Sequence, residues 1–136
     1  MATASTGKPG DGQPCVKFTE SKFPKGFAHG IRLVPEVAQA VCERIGVNCR
    51  DIGTLVTNRP NQLFLRNWRE ALDLPEQRHL DTFDRFGDHF AVALPIALDV
   101  ENRAGRLRNS SVVLLSPFAH AGGFAAAAAL RCGAAR

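Results

Sequence analysis

The run RFGDHFAVALPIALD, positions 85–99, limits what this chain can fold into. It opens with a Gly-Asp-His turn and continues as a helix-length segment, ending at Gly105, that is apolar nearly all round. Such a helix must be buried on most sides, so other layers have to cover it. Pro95 within it predicts a kink or a locally freed carbonyl. Asp88 and His89, at the N-terminal end of this segment, either cap a buried helix or form one wall of an active site.

Two further segments carry a helical repeat. Apolar residues from Val34 onward follow the i, i+3, i+4, i+7 spacing of an amphipathic helix. Pro35 suits its first turn, and Gly46 suits its end. Asn61 is a good N-cap for the next helix, which stops before Pro75. The apolar positions of that helix are Leu63, Leu65, Trp68 and Leu72.

Short apolar segments between the helices are typical of strands. They cover residues 52–57, 79–83 and 111–118, the last of which predicts a buried strand. The closing run FAAAAALR is open to two interpretations, because alanine favours helix in isolation while its small side chain suits a crowded strand. Alternating strands and helices predict an α/β layered fold with a mixed sheet.

The composition fits one globular domain. The chain has 136 residues, 45% of them hydrophobic and 22% charged. Gly, Ser, Thr and Pro near the start predict a flexible tail over residues 1–25, which leaves residues 26–133 as the domain. The opening MATASTGKPGDGQP lacks the apolar core of a secretory signal, and no apolar run is long enough to span a bilayer. We therefore expect a cytoplasmic protein without a membrane partner.

The excess of basic over acidic residues is moderate. The net charge is +4 and the pI is about 9.2. Lysine and arginine residues are scattered, without a basic block and without interleaved aromatic residues. We therefore expect no nucleic-acid partner.

The four cysteines do not have metal-site spacing. No C-x-x-C pair occurs, and no histidine stands at zinc-ligand distance from a cysteine pair. Cys42 falls on the apolar side of a predicted helix and is expected in the core. Free thiols in a reducing compartment are the expected state of Cys15, Cys42, Cys49 and Cys132.

Three stretches stand in a specific order and at specific intervals. They are DIGTLVTNRPN (51–61), RFGDHFAVALPIALD (85–99) and VVLLSPFAHAGGFAAAA (112–128). Together they resemble the C-terminal half of β-ketoacyl-acyl-carrier-protein synthase III, a member of the thiolase fold. In that family the first is a strand ending in a V-P-H-Q-A-N turn, and the second is Y-G-N-T-S-A-A-S-I-P-L-A-L-D. The third is the closing strand, glycine turn and last strand. The resemblance implies a thiolase-like C-terminal half that handles acyl thioesters.

The chain departs from that family at its catalytic positions. The family's cysteine nucleophile belongs to the N-terminal half, which these residues do not include. By the resemblance, the catalytic histidine falls on Asn58 and the catalytic asparagine on Asp88. An ionised Asp88 cannot donate a hydrogen bond and would repel an enolate oxyanion, so decarboxylative condensation is not expected. Asn61 persists and is expected to cap a helix.

Four residues remain candidates for catalysis, namely Asn58, Asp88, His89 and His120. An aspartate can orient a histidine that acts as a base, and His89 or His120 could take that part. Each has a plainer interpretation: Asp88 as an N-cap, the histidines as surface residues and Asn58 as a turn residue. Arg59 is a candidate for binding a phosphate of coenzyme A or of a phosphopantetheine arm, or it is simply a solvated arginine.

Three hypotheses for function follow. The first is an acyltransferase or condensing-type subunit of fatty acid or polyketide metabolism, whose nucleophilic cysteine comes from a partner half. Its substrate would be an acyl-CoA or acyl-carrier-protein thioester, with no permanently bound cofactor or metal, in a homo- or hetero-oligomer. The second is a noncatalytic partner of such a synthase. The third is a degenerate fragment that exposes apolar surface.

Overall fold

A computed structural model describes residues 23–58, 61–79, 82–86, 92–107, 111–119 and 124–133. Its helices are α1 (Phe23–Arg44), α2 (Gln62–Ala71), α3 (Phe83–Phe86) and α4 (Ala93–Arg103). Its strands are β1 (Thr54–Val56), β2 (Val112–Leu115), β3 (Phe118–Ala119), β4 (Phe124–Ala125) and β5 (Ala128–Arg131). Two short 3₁₀ turns cover Cys49–Asp51 and Glu76–Arg78.

The main sheet is mixed, with the strand order β1-β2-β5. Strands β1 and β2 run parallel with Leu55 beside Leu114, while β2 and β5 run antiparallel with Leu114 opposite Ala129. A separate antiparallel pair joins β3 to β4. The predicted mixed sheet is confirmed, and the FAAAAALR run forms strands, so its small side chains serve the sheet.

Both faces of the sheet carry apolar side chains, because successive strand residues point to opposite sides. On one face, Leu55 and Leu114 pack in a cluster with Ala38 and Cys42 of α1. On the other, Val56 and Val113 pack with Ala97 of α4. Helices therefore cover the sheet from both sides, which confirms the predicted α/β layering.

Helix α1 begins well before its predicted start. It starts at Phe23 and not at Val34, and Pro35 lies inside it and not in its first turn. Besides Pro35, the buried positions of α1 repeat every four residues, and this repeat extends the buried stripe upstream of Val34 to a glycine. These positions are Gly30, Val34, Ala38 and Cys42. The end of the helix is as predicted, since Gly46 takes a left-handed φ of 68°.

An aromatic cluster packs directly on the α1 backbone. The rings of Phe64 and Trp68 of α2 lie 5.4 Å apart, and Phe64 stacks on Phe118 at 5.9 Å. The indole Nε1 of Trp68 donates to the Gly30 carbonyl at 3.0 Å. A Cβ at Gly30 would lie 2.7 Å from Phe64 and 2.8 Å from Phe118, so glycine is what allows this close approach.

The predicted strand over residues 79–83 is wrong at its end, and residues 80–81 lie outside the described residues. His79 makes a single parallel bridge to Leu55, and Phe83 begins the short helix α3. The Thr82 carbonyl accepts hydrogen bonds from Arg85 and Phe86. Local helical hydrogen bonds have therefore replaced the expected sheet pairing at the end of this segment.

Helix α4 is buried along one stripe only, so the prediction of burial on most sides is wrong for its described part. Ala93, Ala97 and Glu101 are buried, whereas Val92 is 55% exposed. In the described ranges a single sheet face covers this helix. Pro95 lies in the first turn, where a backbone N–H has no partner within the helix, and it requires no kink there.

The buried carboxylate of Glu101 is paired at the end of α4. Arg106 Nε lies 3.0 Å from each of its two oxygens, and Arg106 N donates to the Glu101 carbonyl. Gly105 takes a φ of 67° between them, which confirms the predicted helix end. The Arg106 guanidinium therefore balances the charge of the Glu101 carboxylate, as burial of a carboxylate requires.

The remaining strand and helix predictions hold in outline, except that Leu63, predicted among the apolar positions of α2, is 52% exposed. Strand β1 lies within the predicted 52–57 segment, and α2 begins after Asn61 as expected. The predicted strand over 111–118 divides into β2 and β3, with Ser116 and Pro117 between them. Among the residues described, no helix has the length and apolarity needed to cross a bilayer.

Substituting Gly30 tests the aromatic packing. We expect Gly30→Ala to lower the free energy of unfolding by about 1–2 kcal/mol, because overpacking outweighs the gain of about 1 kcal/mol in helix propensity. Gly133→Ala is the matched control, since nothing lies within 4 Å of its added Cβ. Urea unfolding of both variants measures the difference. A stabilised Gly30→Ala protein would contradict this packing.

Candidate functional site

The carboxyl ends of β1 and β2 form the candidate site. In open α/β sheets this is where ligands bind. Strand β1 ends at Val56 and β2 at Leu115, and the Ser116 N–H donates to the Val56 carbonyl at 2.8 Å. That bond extends the pairing past the last strand residue and fixes where the following polar side chains lie.

Asn58 is held by two hydrogen bonds to one backbone position. Its Nδ2 donates to the Phe118 carbonyl at 2.6 Å, and its Oδ1 accepts from the Phe118 N–H at 2.7 Å. The side chain is only 3% exposed. The amide thus acts as an extra peptide group, which joins the end of β1 to the start of β3.

This geometry limits what Asn58 can do chemically. An amide nitrogen is not basic, so Asn58 cannot act as a general base. One of its two N–H groups and one Oδ1 lone pair serve Phe118. The remaining N–H could still polarise a carbonyl, so a catalytic part for Asn58 stays a prediction.

Thr57 and His79 form a buried polar pair that the sequence reading missed. Thr57 Oγ1 lies 2.8 Å from His79 Nε2, and their exposed fractions are 0% and 2%. The bridge between Leu55 and His79 places the imidazole along β1. Side chains alternate between the two faces of a strand, so Thr57 lies on the same buried face as Leu55, and the sequence indicates this. Nothing in the neighbouring sequence indicates that His79 is the partner of Thr57.

Asn61 caps α2 as predicted. Its Oδ1 accepts a hydrogen bond from the Phe64 N–H at 3.0 Å, and its backbone is extended, as N-caps require. The cap orients the first turn of α2, from which Phe64 reaches Phe118. Asn61 therefore serves structure at the rim of the candidate site.

The other proposed site residues lie outside the described residues. These are Arg59, Asp88, His89 and His120. Their assignments remain predictions. Within the described ranges, no group of three or more His, Cys, Asp or Glu side chains could hold a metal ion.

The fold and this site define the class of protein. A mixed sheet covered by helices, with the polar turn after β1, is the thiolase-like arrangement. Residues 42–132 match the family described as 3-oxoacyl-[acyl-carrier-protein (ACP)] synthase III, C terminal. That match covers more than half of the chain, which therefore belongs to this family.

Curated relatives agree with this assignment. The β-ketoacyl-[acyl-carrier-protein] synthase III of Desulfotalea psychrophila is 30% identical over 104 residues, which are 76% of this chain and 32% of that protein. The synthase III of Sinorhizobium medicae is 30% identical over 98 residues, 72% of this chain and 30% of the relative. The chain spans about a third of the length of these relatives.

Solved structures show the same fold. The synthase III of Thermus thermophilus is 31% identical with a TM-score of 0.74, and the match covers 82% of this chain and 34% of that one. For the synthase III of Pseudomonas aeruginosa the identity is 26% and the TM-score 0.73, over 81% of this chain and 34% of the other. The resemblance seen in the three sequence stretches is confirmed.

Changing Asn58 to aspartate tests the amide pairing. A carboxylate oxygen would face the Phe118 carbonyl, so we expect Asn58→Asp to cost about 2–4 kcal/mol of folding free energy. Asn48→Asp is the control, because Asn48 caps the Cys49–Asp51 turn and aspartate caps equally well. Equal stability of the two variants in urea unfolding would argue against the pairing.

The Thr57–His79 pair can be tested by removing the hydroxyl group. We expect Thr57→Val to lower stability by about 1–2 kcal/mol and to shift the Nε2 resonance of His79 in nitrogen NMR. Thr57→Ser keeps the hydroxyl group and should leave that resonance near its original position. An unchanged resonance in Thr57→Val would show that the pair does not form in solution.

Proposed function

We propose that this chain is an acyl-thioester-handling subunit of the synthase III type, which acts in fatty acid or polyketide metabolism. Family membership supports the acyl-thioester class. It would work in the cytoplasm on an acyl-CoA or acyl-carrier-protein thioester, without a permanently bound cofactor. Asn58, which follows β1, is the residue that the resemblance assigns to the family's catalytic histidine position.

Transfer without condensation fits the residues better than decarboxylative condensation. Condensation needs neutral donors to stabilise an enolate, and an ionised Asp88 is not such a donor. In a transfer reaction, Asp88 would orient His89 or His120 as the base toward an alcohol or amine acceptor. Arg59 would meet a phosphate of the carrier arm.

Exposed apolar residues beside α4 are the observation that carries the partner requirement. Val92 at the start of α4 is 55% exposed, and Leu130 is 48% exposed. Leu130 pairs with Val113, so it points to the sheet face that α4 only partly covers. A second thiolase-type segment that carries the nucleophilic cysteine would cover these residues, giving a homo- or hetero-oligomer.

The test is to reconstitute the activity. The full chain is mixed with the cysteine-bearing part of a synthase III and with acetyl-CoA. We expect an acetylated cysteine by intact mass spectrometry and acetyl transfer to acyl carrier protein, neither of which the cysteine-bearing part alone should give. Absence of acyl-enzyme in every such mixture would refute the proposal.

Paired histidine variants locate the base in that mixture. We expect His120→Ala or His89→Ala to slow acyl transfer by about 100-fold or more, the usual contribution of a general base. His29→Ala is the control, since it carries no proposed function. Equal rates for all three variants would exclude His89 and His120 as the base.

A noncatalytic partner is the second candidate, and the Asn58–Phe118 pairing favours it. Two hydrogen bonds commit the position of the family's catalytic histidine to joining β1 and β3. In that case the chain would bind and stabilise a true synthase. Asp88→Ala would then leave both binding and turnover of the complex unchanged, whereas the catalytic proposal expects turnover to fall.

A further inference from the structure

Two thiols meet away from the candidate site, in the groove between α1, the Cys49–Asp51 turn and the end of α2. The groove encloses about 440 Å³. Cys42 from α1 is 2% exposed, and Cys49 is half-buried. Both line the groove, and Cys49 packs against the cluster that contains Cys42.

The chain path brings the two side chains together. The Val47 N–H donates to the Cys42 carbonyl at 3.0 Å, which turns the chain back along α1. Cys49 Sγ then lies 4.0 Å from the carbonyl of Ala38, one helical turn before Cys42 on the same buried stripe. Both thiols therefore lie at the same side of α1, in the groove that they share.

We propose that Cys42 and Cys49 form a reversible disulfide when the protein meets an oxidant of the hydroperoxide class. The thiolate of the more exposed Cys49 attacks the peroxide, and an S–O bond forms while the O–O bond breaks. The Cys42 sulfur then attacks Cys49 Sγ and displaces the hydroxide as water. Two thiols are oxidised to one disulfide, and one hydrogen peroxide is reduced to two waters.

The environment of Cys49 slows its reaction with an oxidant near neutral pH. Burial, the contact with Cys42 and the nearby Glu43 carboxylate raise the pKa of the Cys49 thiol to about 12. The thiolate that must attack is therefore scarce near neutral pH. Oxidation should accelerate about tenfold for each pH unit between pH 7 and 9, because the thiolate fraction rises by that factor below the pKa.

The disulfide would tie α1 to the start of the sheet. The Cys49 carbonyl accepts from the Ile52 N–H at 3.3 Å, and the Gly53 N–H donates to the Val112 carbonyl at 2.8 Å. Cys49 thus begins a series of backbone hydrogen bonds that leads into β1 and β2. A covalent bond to Cys42 would fix the C-terminal end of α1 against this part of the sheet.

Peptide mapping of the full chain tests the proposal. The background is Cys15→Ser with Cys132→Ser, so that only the pair remains. After hydrogen peroxide treatment and alkylation of free thiols, trypsin should release residues 33–44 linked to residues 45–50, because Arg44 separates the two cysteines. Dithiothreitol should separate these peptides again. The linked peptide should appear faster at pH 9 than at pH 7.

Two further variants serve as controls. Cys42→Ser and Cys49→Ser in the same background should give no linked peptide, and the remaining cysteine should be alkylated or over-oxidised. Two separately modified cysteines in the unsubstituted pair would overturn the proposal, as would disulfides only between molecules. If a serine variant fails to fold, mapping of the intact pair still decides the matter.

Discussion

The parallel pairing of β1 with β2 is the interaction on which the rest of the structure depends. It places Leu55 beside Leu114 on the sheet face that packs against α1. It places Val56 near Val113 on the face that packs against α4. Because these strands are far apart in sequence, their pairing is what completes each face of the core. Asn58 extends the pairing, since its amide bonds the Phe118 backbone as another peptide group would. The same contact therefore positions the core and shapes the candidate site.

Asn58, to which the family resemblance assigns a catalytic position, is part of the fold in this structure. Its side-chain amide makes two short hydrogen bonds to the Phe118 backbone. Beside it, Thr57 and His79 form a buried pair that also stabilises this end of the strand.

Local signals predicted the elements whose causes are local. Asn61, which precedes an apolar run, predicted the N-cap of α2, and Gly46 and Gly105 predicted the ends of two helices. The start of α1 was predicted too late because Gly30 and Pro35 suggest a break in the helix. Glycine is needed at position 30 because the rings of Phe64 and Phe118 pack against it. A glycine required by distant aromatic side chains cannot be recognised from its neighbours.

The same distinction applies to the site. Asn58 could be assigned to a turn, but its partner Phe118 lies sixty residues away. His79 meets Thr57 across 22 residues. Periodicity gives the face on which a strand residue lies, and tertiary pairing decides what it meets there. The family resemblance indicated the positions of interest, and for Asn58 the fold shows which groups it contacts.

The alanine composition of β5 has a consequence for assembly. Within the described part of the chain, β5 pairs with β2 alone, so its other edge offers backbone donors and acceptors to a further strand. Register between strands is normally set by the pattern of side chains, and two adjacent alanines set it weakly. Leu130 is the one bulky apolar side chain in β5. Alignment of any strand added at this edge would therefore depend on that single leucine and on the charge of Arg131 next to it.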